Sequence, residues 1–415
     1  MRDLSARLRD IVRQNPRREL TYVPGDAVGE IDARSLADTL GGRAVGGDGA
    51  CVELDRVYAS DRSYGRRCVD AWRPASGAPL HLIDPRAVSV PEWWRRVVFF
   101  DIETTGLSGG AGTIAFLAGC GWFEDEGFRV RQFFLAGPGG ERAMLDALGD
   151  VLSDASLLVT FNGRTFDVPF MEMRWAFHRA APPTDEIPHV DMLPAARRLW
   201  RRRETSSALD GGCNLTSLER AVLDVHRVGD VPGFEIPARY FHFLRTGDRP
   251  SVEPVLEHNR LDIVSLAALM SHALWLIGEG PEACREPGEQ LALGRLYERS
   301  GDRDRAHRSY EMAAASVGDG DVRREALARL PRSALRGVAT PQSALRGSRA
   351  RLGRCTCGRW PRRGLVAGRH GQRSAGCPPR TPSQRPGDGA PLRRGARAPG
   401  FSPHTPRRRS PHQAN

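Results

Sequence analysis

Lysine is absent from all 415 residues, so arginine supplies every one of the 61 basic side chains apart from histidine. That absence excludes P-loop nucleotide hydrolysis, pyridoxal Schiff-base chemistry and protein-kinase chemistry, each of which needs a lysine amine. Arginine throughout also points to a GC-rich coding sequence. The eight cysteines fall at irregular spacings without a Cys-x-x-Cys pair. A zinc site is therefore not expected, and free thiols in a reducing cytoplasm are. Long apolar runs are missing too. The longest nearly uncharged run, Ile263 to Gly278, is shorter than a membrane span and holds Ser265, Ser271 and His272. The first twenty residues carry charge throughout, so no signal peptide is expected. A soluble cytoplasmic protein with no membrane partner is the expectation, with length for two or three domains.

The formal charge of +11 has to be divided before it means anything. From Pro331 onward there are 19 arginines and one acid, Asp388, a balance of +18, which leaves residues 1–330 at −7. The basic character belongs to the tail and says nothing about the partner of the body.

The body is organised around Val97-Val98-Phe99-Phe100-Asp101-Ile102-Glu103-Thr104-Thr105-Gly106. Four apolar residues predict a strand buried on both faces. Asp101 and Glu103 follow at spacing two, which puts both carboxylates on one face of an extended chain. Two acids that close repel unless something positive lies between them. A divalent ion is the simplest such partner, and oxygen ligands suit Mg²⁺ or Mn²⁺. The plainer alternative is a strand end whose acids meet water. An aspartic-protease site is excluded, since Glu-Thr-Thr stands before Gly106 where Asp-Thr-Gly is needed.

Residues 1–90 open with an amphipathic segment, Leu4 to Val12, and include an edge-strand alternation at Val52–Val57, but offer no chemistry. Trp93 and Trp94 are expected to cover one end of the core that follows. Thr113–Trp122 and Phe128–Leu135 predict two further strands in an antiparallel meander, Ala143–Leu152 a helix, and Leu157–Phe161 a fourth strand. Asp167 follows, with Pro169 suited to a helix's first turn. N-capping competes with metal binding as the role of Asp167. Pro188–Leu193 predicts a fifth strand, before a helix bearing Arg197, Arg198 and Arg201–Arg203. Val255–Trp275 predicts one long helix, on which His258 and Asp262 stack four apart. A solvated His–Asp pair is the alternative there.

Three acidic segments thus stand in chain order. Asp101-Ile102-Glu103-Thr104-Thr105-Gly106-Leu107, Phe161-Asn162 with Phe166-Asp167-x-Pro169, and His258-x-x-x-Asp262 resemble the three motifs of the DEDD superfamily of 3′→5′ exonucleases. More narrowly, Phe-Asn-Gly-x-x-Phe-Asp, His-x-Asp-x-Leu-x-x-Ala-Arg-Arg and His-Asn-Arg-x-Asp are similar to the YprB-type ribonuclease H-like proteins. The resemblance covers roughly residues 95–278. It implies an α/β fold, a ribonuclease H-like mixed sheet flanked by helices. It also implies metal-dependent phosphodiester hydrolysis of nucleic acid at a single-stranded 3′ end, by two divalent ions. Asp101, Glu103, Asp167 and Asp262 would bind the metals and His258 would be the base, with Thr104, Asn162 and Arg164 beside the substrate. In one respect the chain departs from the pattern. Superfamily members carry Tyr four residues before the last Asp or His five before it, and His258 stands in the tyrosine register.

Beyond this, Leu293-Gly294, Tyr297, Ala306, Tyr310 and Ala313 fall at the spacings of a tetratricopeptide repeat turning at Gly301. A protein partner is the implied use. A second copy starts at Leu327-Ala328 and breaks at Pro331. Too little apolar surface remains after it for a fold, so the tail is expected to be disordered. It reads either as a basic nucleic-acid-binding arm or as a frame-shifted stretch of GC-rich DNA, and the break in mid-helix favours the second. The expected organisation is an N-terminal region (1–90), a ribonuclease H-like domain (91–280), a helical repeat (285–330) and the tail (331–415). Two other functions compete with the exonuclease: a structure-specific endonuclease on the same fold, and a non-catalytic nucleic-acid-binding or scaffold protein.

Overall fold

The computed structural model describes residues 31–46, 51–90, 92–106, 112–200, 213–316 and 319–330. The Leu4–Val12 segment, Arg201–Arg203 and everything from Pro331 lie outside them. The strands are β1 (Arg43–Val45), β2 (Cys51–Ala59), β3 (Ser63–Tyr64), β4 (Arg67–Cys68), β5 (Val97–Thr104), β6 (Ala115–Glu124), β7 (Gly127–Leu135), β8 (Leu157–Thr160) and β9 (His189–Asp191). Seven of them form one sheet in the order β1-β2-β7-β6-β5-β8-β9, and β3 with β4 makes a separate ribbon. As the meander predicts, β5, β6 and β7 pair antiparallel. β8 joins β5 in parallel, and β9 joins β8 in parallel. The sheet is therefore mixed.

The stretch Val52–Val57 does form a strand, but one place in from the edge. β1 pairs only with Cys51–Glu53 of β2. The remaining length of β2 has β7 on one side alone, which is why its sequence still alternates like an edge.

Each face of the sheet carries its own core. Val98, Phe100 and Ile102 of β5 pack with α1 (Ala33–Leu40), α3 (Glu141–Ser153) and α4 (Asp167–Phe177). On the other face Val97 and Phe99 pack with α2 (Leu80–Ile83) and α5 (Met192–Trp200). Trp93 is buried against this second core, with Trp94 packed edge-on to it. The alternation of β5, read at spacing two, is what separates the layers.

The chain then runs through α6 (Leu215–Leu218), a π-helical turn at Glu219–Leu223 and α7 (Ile236–Thr246) into α8 (Glu253–Glu279). By length and composition α8 could cross a membrane, yet 78% of its most apolar stretch is buried inside the fold. Two glycines let it lie against the sheet. Gly119 and Gly121 sit two apart on β6, so they open one face. A Cβ on Gly119 would run into the Asn259 amide, and one on Gly121 into Ile263. Asn259 and Ile263 are one helical turn apart, so the two gaps receive one rail of α8.

Three helices close the described chain: α9 (Pro287–Ser300), α10 (Arg303–Ala315) and α11 (Gly320–Arg329). α9 turns into α10 at Gly301, whose φ of 84° is left-handed and suits glycine. Gly294 lies under the Tyr310 ring, where a side chain would not fit. Leu293, Tyr297, Ala306, Tyr310 and Ala313 are all buried, in the same core as α8. The Tyr297 hydroxyl donates to the Ile277 carbonyl of α8 at 2.6 Å. A single helical hairpin cannot bury a core alone, and here it borrows that of its neighbour. Cys51, Cys120, Cys213 and Cys284 carry free thiols. Cys68 is disulfide-bonded, which the irregular spacings did not signal.

Candidate functional site

Asp101 and Glu103 project from the α8 side of β5, at its C-terminal end. Asp101 pairs across the sheet with Gly119 and is held by Asn259, whose Nδ2 donates to its Oδ2 at 2.9 Å. Asn259 is fully buried and in turn accepts from Gln132 at 2.9 Å. The gap at Gly119 thus brings α8 close enough to orient the first acid.

Asp167 reaches the same strand from the opposite layer. The loop after β8 is pinned by Asp191, which accepts from the backbone N–H groups of Asn162 (2.8 Å), Leu193 (3.0 Å) and Arg164 (3.3 Å). Asn162 takes a left-handed φ of 68°, and α4 starts five residues later. The N-cap position belongs to Phe166, which makes no side-chain cap bond, and Asp167 is the first helical residue. Its carboxylate accepts from the Ile102 N–H at 3.3 Å, midway between the two acids of β5. The capping alternative is thereby corrected, because the side chain crosses to the sheet instead of closing its own helix.

α8 supplies His258 and Asp262, and neither is a solvated surface group. Their side chains are only 14% and 18% exposed. His258 Nε2 lies 3.5 Å from Asp262 and 3.9 Å from Glu103, while its Nδ1 bonds Asp230 at 2.6 Å. With a neutral ring, an Nδ1–H donating to Asp230 leaves the Nε2 lone pair facing the acids.

The electrostatics show how closely these groups converge. Burial holds Asp101 well above the usual carboxylate range, and Asp262, Asp167 and Glu103 push it further, against the Asn259 hydrogen bond. Glu103 is raised by burial and then by Asp262, Asp167 and Asp230, with Arg227 opposing. Burial lifts Asp167 to about 7, although two backbone N–H groups work against the shift. Four carboxylates from three elements therefore lie within one another's field, without enough positive charge among the described residues to balance them.

The cation that is present was not read from the sequence. Arg227, 1% exposed, bonds the fully buried Glu219 at 2.8 Å through Nε. It also contacts Asp230 at 3.3 Å and pairs with Asp262. Burial opposes its charge, and the bonds to Glu219 and Asp262 overcome that. Nothing in the local pattern marks Arg227 or Asp230, which lie among loop residues with no periodicity. The π-helical turn that carries Glu219 is equally silent in sequence. Asn259 had a signal in its position between His258 and the helix's apolar rail.

The three residues expected beside a substrate are placed differently. Thr104 is buried and donates to the Gly106 carbonyl at 2.9 Å, so it ties the turn after β5. Asn162 serves the Asp191 loop, and its side-chain oxygen accepts from Thr165 at 3.2 Å. Arg164 points to the His189 carbonyl at 2.5 Å and Asp84 at 3.2 Å, bonds that a phosphate would have to displace. Arg198, from the arginine-rich helix, donates to the Ile83 carbonyl.

Among the described residues no three His, Cys, Asp or Glu side chains are arranged, as they stand, to hold a metal ion. The donor chemistry nevertheless fits one. All four acids offer hard oxygen, and the raised proton affinity of Asp101, Glu103 and Asp167 marks a site that a dication would neutralise better than Arg227 alone.

The mixed sheet flanked by helices has a ribonuclease H-like α/β fold, and residues 98–274 match the family model of the RNase_H superfamily. A curated relative, the uncharacterized protein YprB of Bacillus subtilis (strain 168), is 34% identical over 215 residues. These make up 51% of this chain and 50% of that protein. The chain thus spans about half the length of the curated relative it matches. Among solved structures, it is similar to the family B DNA polymerase from the hyperthermophilic archaeon Pyrobaculum calidifontis, with a TM-score of 0.34 and 13% identity. That match covers 49% of this chain and 29% of the polymerase chain.

Proposed function

We propose that the protein is a metal-dependent nuclease of the DEDD type that hydrolyses a nucleic-acid strand from its 3′ end. One observation carries this reading: Asp101, Glu103, Asp167 and Asp262 converge from a strand and two helices, with Arg227 the one arginine paired to them among the described residues. A structural site would balance such charges, whereas a site that takes up cations keeps them in excess.

The four acids would hold two Mg²⁺ or Mn²⁺ ions, which supply charge stabilisation on the phosphate when bound. The chain's own residues do the rest. Asn259 fixes the orientation of Asp101. Asp230 fixes the His258 ring, so that Nε2 is free to take a proton from an attacking water. Arg227 holds Asp262 and Asp230 in register with each other and with the turn at Glu219. His258 thus acts as the general base from a position one helical turn before Asp262. The hairpin α9–α10, read as a tetratricopeptide-like unit, is the proposed contact for a protein partner. A cytoplasmic site of action is proposed with it.

The test is cleavage of end-labelled single strands of DNA and of RNA with Mg²⁺, Mn²⁺ or EDTA. A metal-dependent ladder shortening from the 3′ end supports the reading, and Asp101→Ala should abolish it while leaving the circular dichroism unchanged. Internal cuts would assign the site to an endonuclease. No cleavage of any strand with either metal would refute the nuclease.

A further inference from the structure

Ten residues along α8 from Asp262 lies a second site that the acid cluster does not use. Here α8 faces the β3–β4 ribbon and the end of the π-helical turn across a pocket of about 310 Å³. Arg66, Arg67 and Arg285 line it, together with Tyr64, His272 and Trp275, and no carboxylate is among its lining residues in the described part of the chain. The acids nearby are accounted for. Asp224 pairs with Arg66 at 3.1 Å, Glu289 accepts the Arg285 backbone N–H at 2.8 Å, and Glu279 acts on Arg67 from a distance.

Two of the guanidiniums have capacity left. Arg67 Nη1 is buried and has no hydrogen-bond partner, while its Nη2 reaches only the Ala71 carbonyl at 3.3 Å. Arg285 spends one nitrogen on the Val222 carbonyl at 3.4 Å, a long bond. A buried guanidinium N–H left unpaired is costly, so a ligand bringing acceptor oxygens would be bound well. The aromatic side is equally suggestive of class. Arg67 lies over the Trp275 ring at 5.0 Å and His272 packs tilted against it at 5.4 Å, and Trp275 is still 37% exposed at the rim. His272, buried beneath and ringed by the three arginines, is held down at about 4, so it adds no charge of its own. Fixed cations beside an aromatic platform suit a phosphate joined to a base.

We propose that this pocket binds a phosphodiester unit of the strand whose 3′ end lies at the acids, with its base against Trp275. The inference rests on the nuclease reading for the identity of that strand, but not for the binding itself. At 1.5 Å per residue, ten residues of α8 set the pocket about 15 Å from Asp262. That is roughly four to five stacked nucleotides at about 3.4 Å each. A strand of three nucleotides should not span both sites, and one of ten should.

The experiment measures binding of labelled oligonucleotides by fluorescence anisotropy in EDTA, so that nothing is cleaved. Wild type, Arg67→Gln, Arg285→Gln and Trp275→Ala are compared with trinucleotides and decanucleotides. Each Arg variant should weaken the decanucleotide about 5- to 10-fold, lower the salt slope by about 0.7, and weaken in the same direction whatever binding the trinucleotide shows. In cleavage with Mg²⁺ the same variants should raise KM for the long strand with kcat unchanged. Arg66→Gln, at an exposed position, guards against misfolding in the buried variants and should give a smaller loss in the same direction. Trp275 quenching by inorganic phosphate or a mononucleotide alone, with no preference for the decanucleotide, would overturn the strand subsite in favour of a free-phosphate site. Equal affinity of all variants for the decanucleotide would overturn the proposal outright, even with the nuclease intact. Length-dependent binding lost in the variants, with no cleavage by any form, would keep the subsite and sink the nuclease.

Discussion

If the acids are held together against their own repulsion, removing one charge should make the metal-free protein more stable. Asp167→Asn is the cleanest change. The amide keeps an oxygen for the Ile102 N–H, so the one hydrogen bond that side chain accepts in the sheet is preserved. The rise from 3.8 to about 7, owed first to burial of the charge and then to Asp191 and Asp262, corresponds to roughly 4 kcal/mol at about 1.36 kcal/mol per tenfold change, felt only where Asp167 is ionised in the folded state. The sign follows from proton counts. Between about pH 4 and pH 7 the folded protein binds more protons here than the unfolded chain does, so stability falls as pH rises through that window. Asp101 and Glu103 are shifted the same way and add to the fall. At about pH 8 in EDTA the variant should therefore melt higher than wild type. At about 2–4 °C per kcal/mol the ceiling is about 8–16 °C, and several degrees is the expectation. Mg²⁺ should then raise the wild type and close the gap, since it supplies the neutralisation that the variant no longer needs. Scanning calorimetry at about pH 4 and pH 8, with and without metal, reads all of this. A variant that melts at or below wild type in EDTA at about pH 8 would show that the buried, mutually repelling charges cost the fold nothing, and the cluster would need no cation to neutralise it.

Other outcomes follow from named contacts. His258→Ala should slow turnover by about 10²–10⁴ without altering the Mg²⁺-induced rise in melting temperature; a loss of that rise would make His258 a ligand instead. Asp230→Asn should give a smaller loss of rate, with the metal response likewise intact, and an unchanged rate would remove Asp230 from the machinery. Gly119→Ala should destabilise the fold by about 1–3 kcal/mol in chemical denaturation, because its Cβ meets the Asn259 amide and α8 has to lift. Truncation after Leu330 should leave turnover unchanged at moderate salt, and lost turnover at saturating substrate would place the tail in the enzyme.

The parts of this molecule that follow a period were legible in its sequence. Alternation at spacing two in Val97–Glu103 predicts both a central strand and the shared face of Asp101 and Glu103, and the structure separates its two cores along that alternation. Spacing four on α8 brings His258 and Asp262 together for the same reason. Asp167 sits where local chemistry would misplace it, since an acid before a helical proline suits an N-cap as well as a long-range contact. What decides its role is the loop pinned by Asp191, a contact across 29 residues of sequence to Asn162 that no local pattern encodes.

The residues missed share one property: each acts through a partner far away along the chain. Arg227 reaches Asp262 across 35 residues, and Asp230 reaches His258 across 28. Both lie between elements, where hydrophobic periodicity is silent and only tertiary contact gives a charge its meaning. The same holds for Arg164, whose place in the motif suggested a phosphate, while its geometry ties it to Asp84 across 80 residues. A motif locates the ligands because their spacing is set by the element that carries them. The groups that tune those ligands come from other segments, and their identity follows from charge balance in the assembled site. Carboxylates packed this closely repel one another, and only the fold shows that, among the described residues, Arg227 is the arginine brought to Asp262.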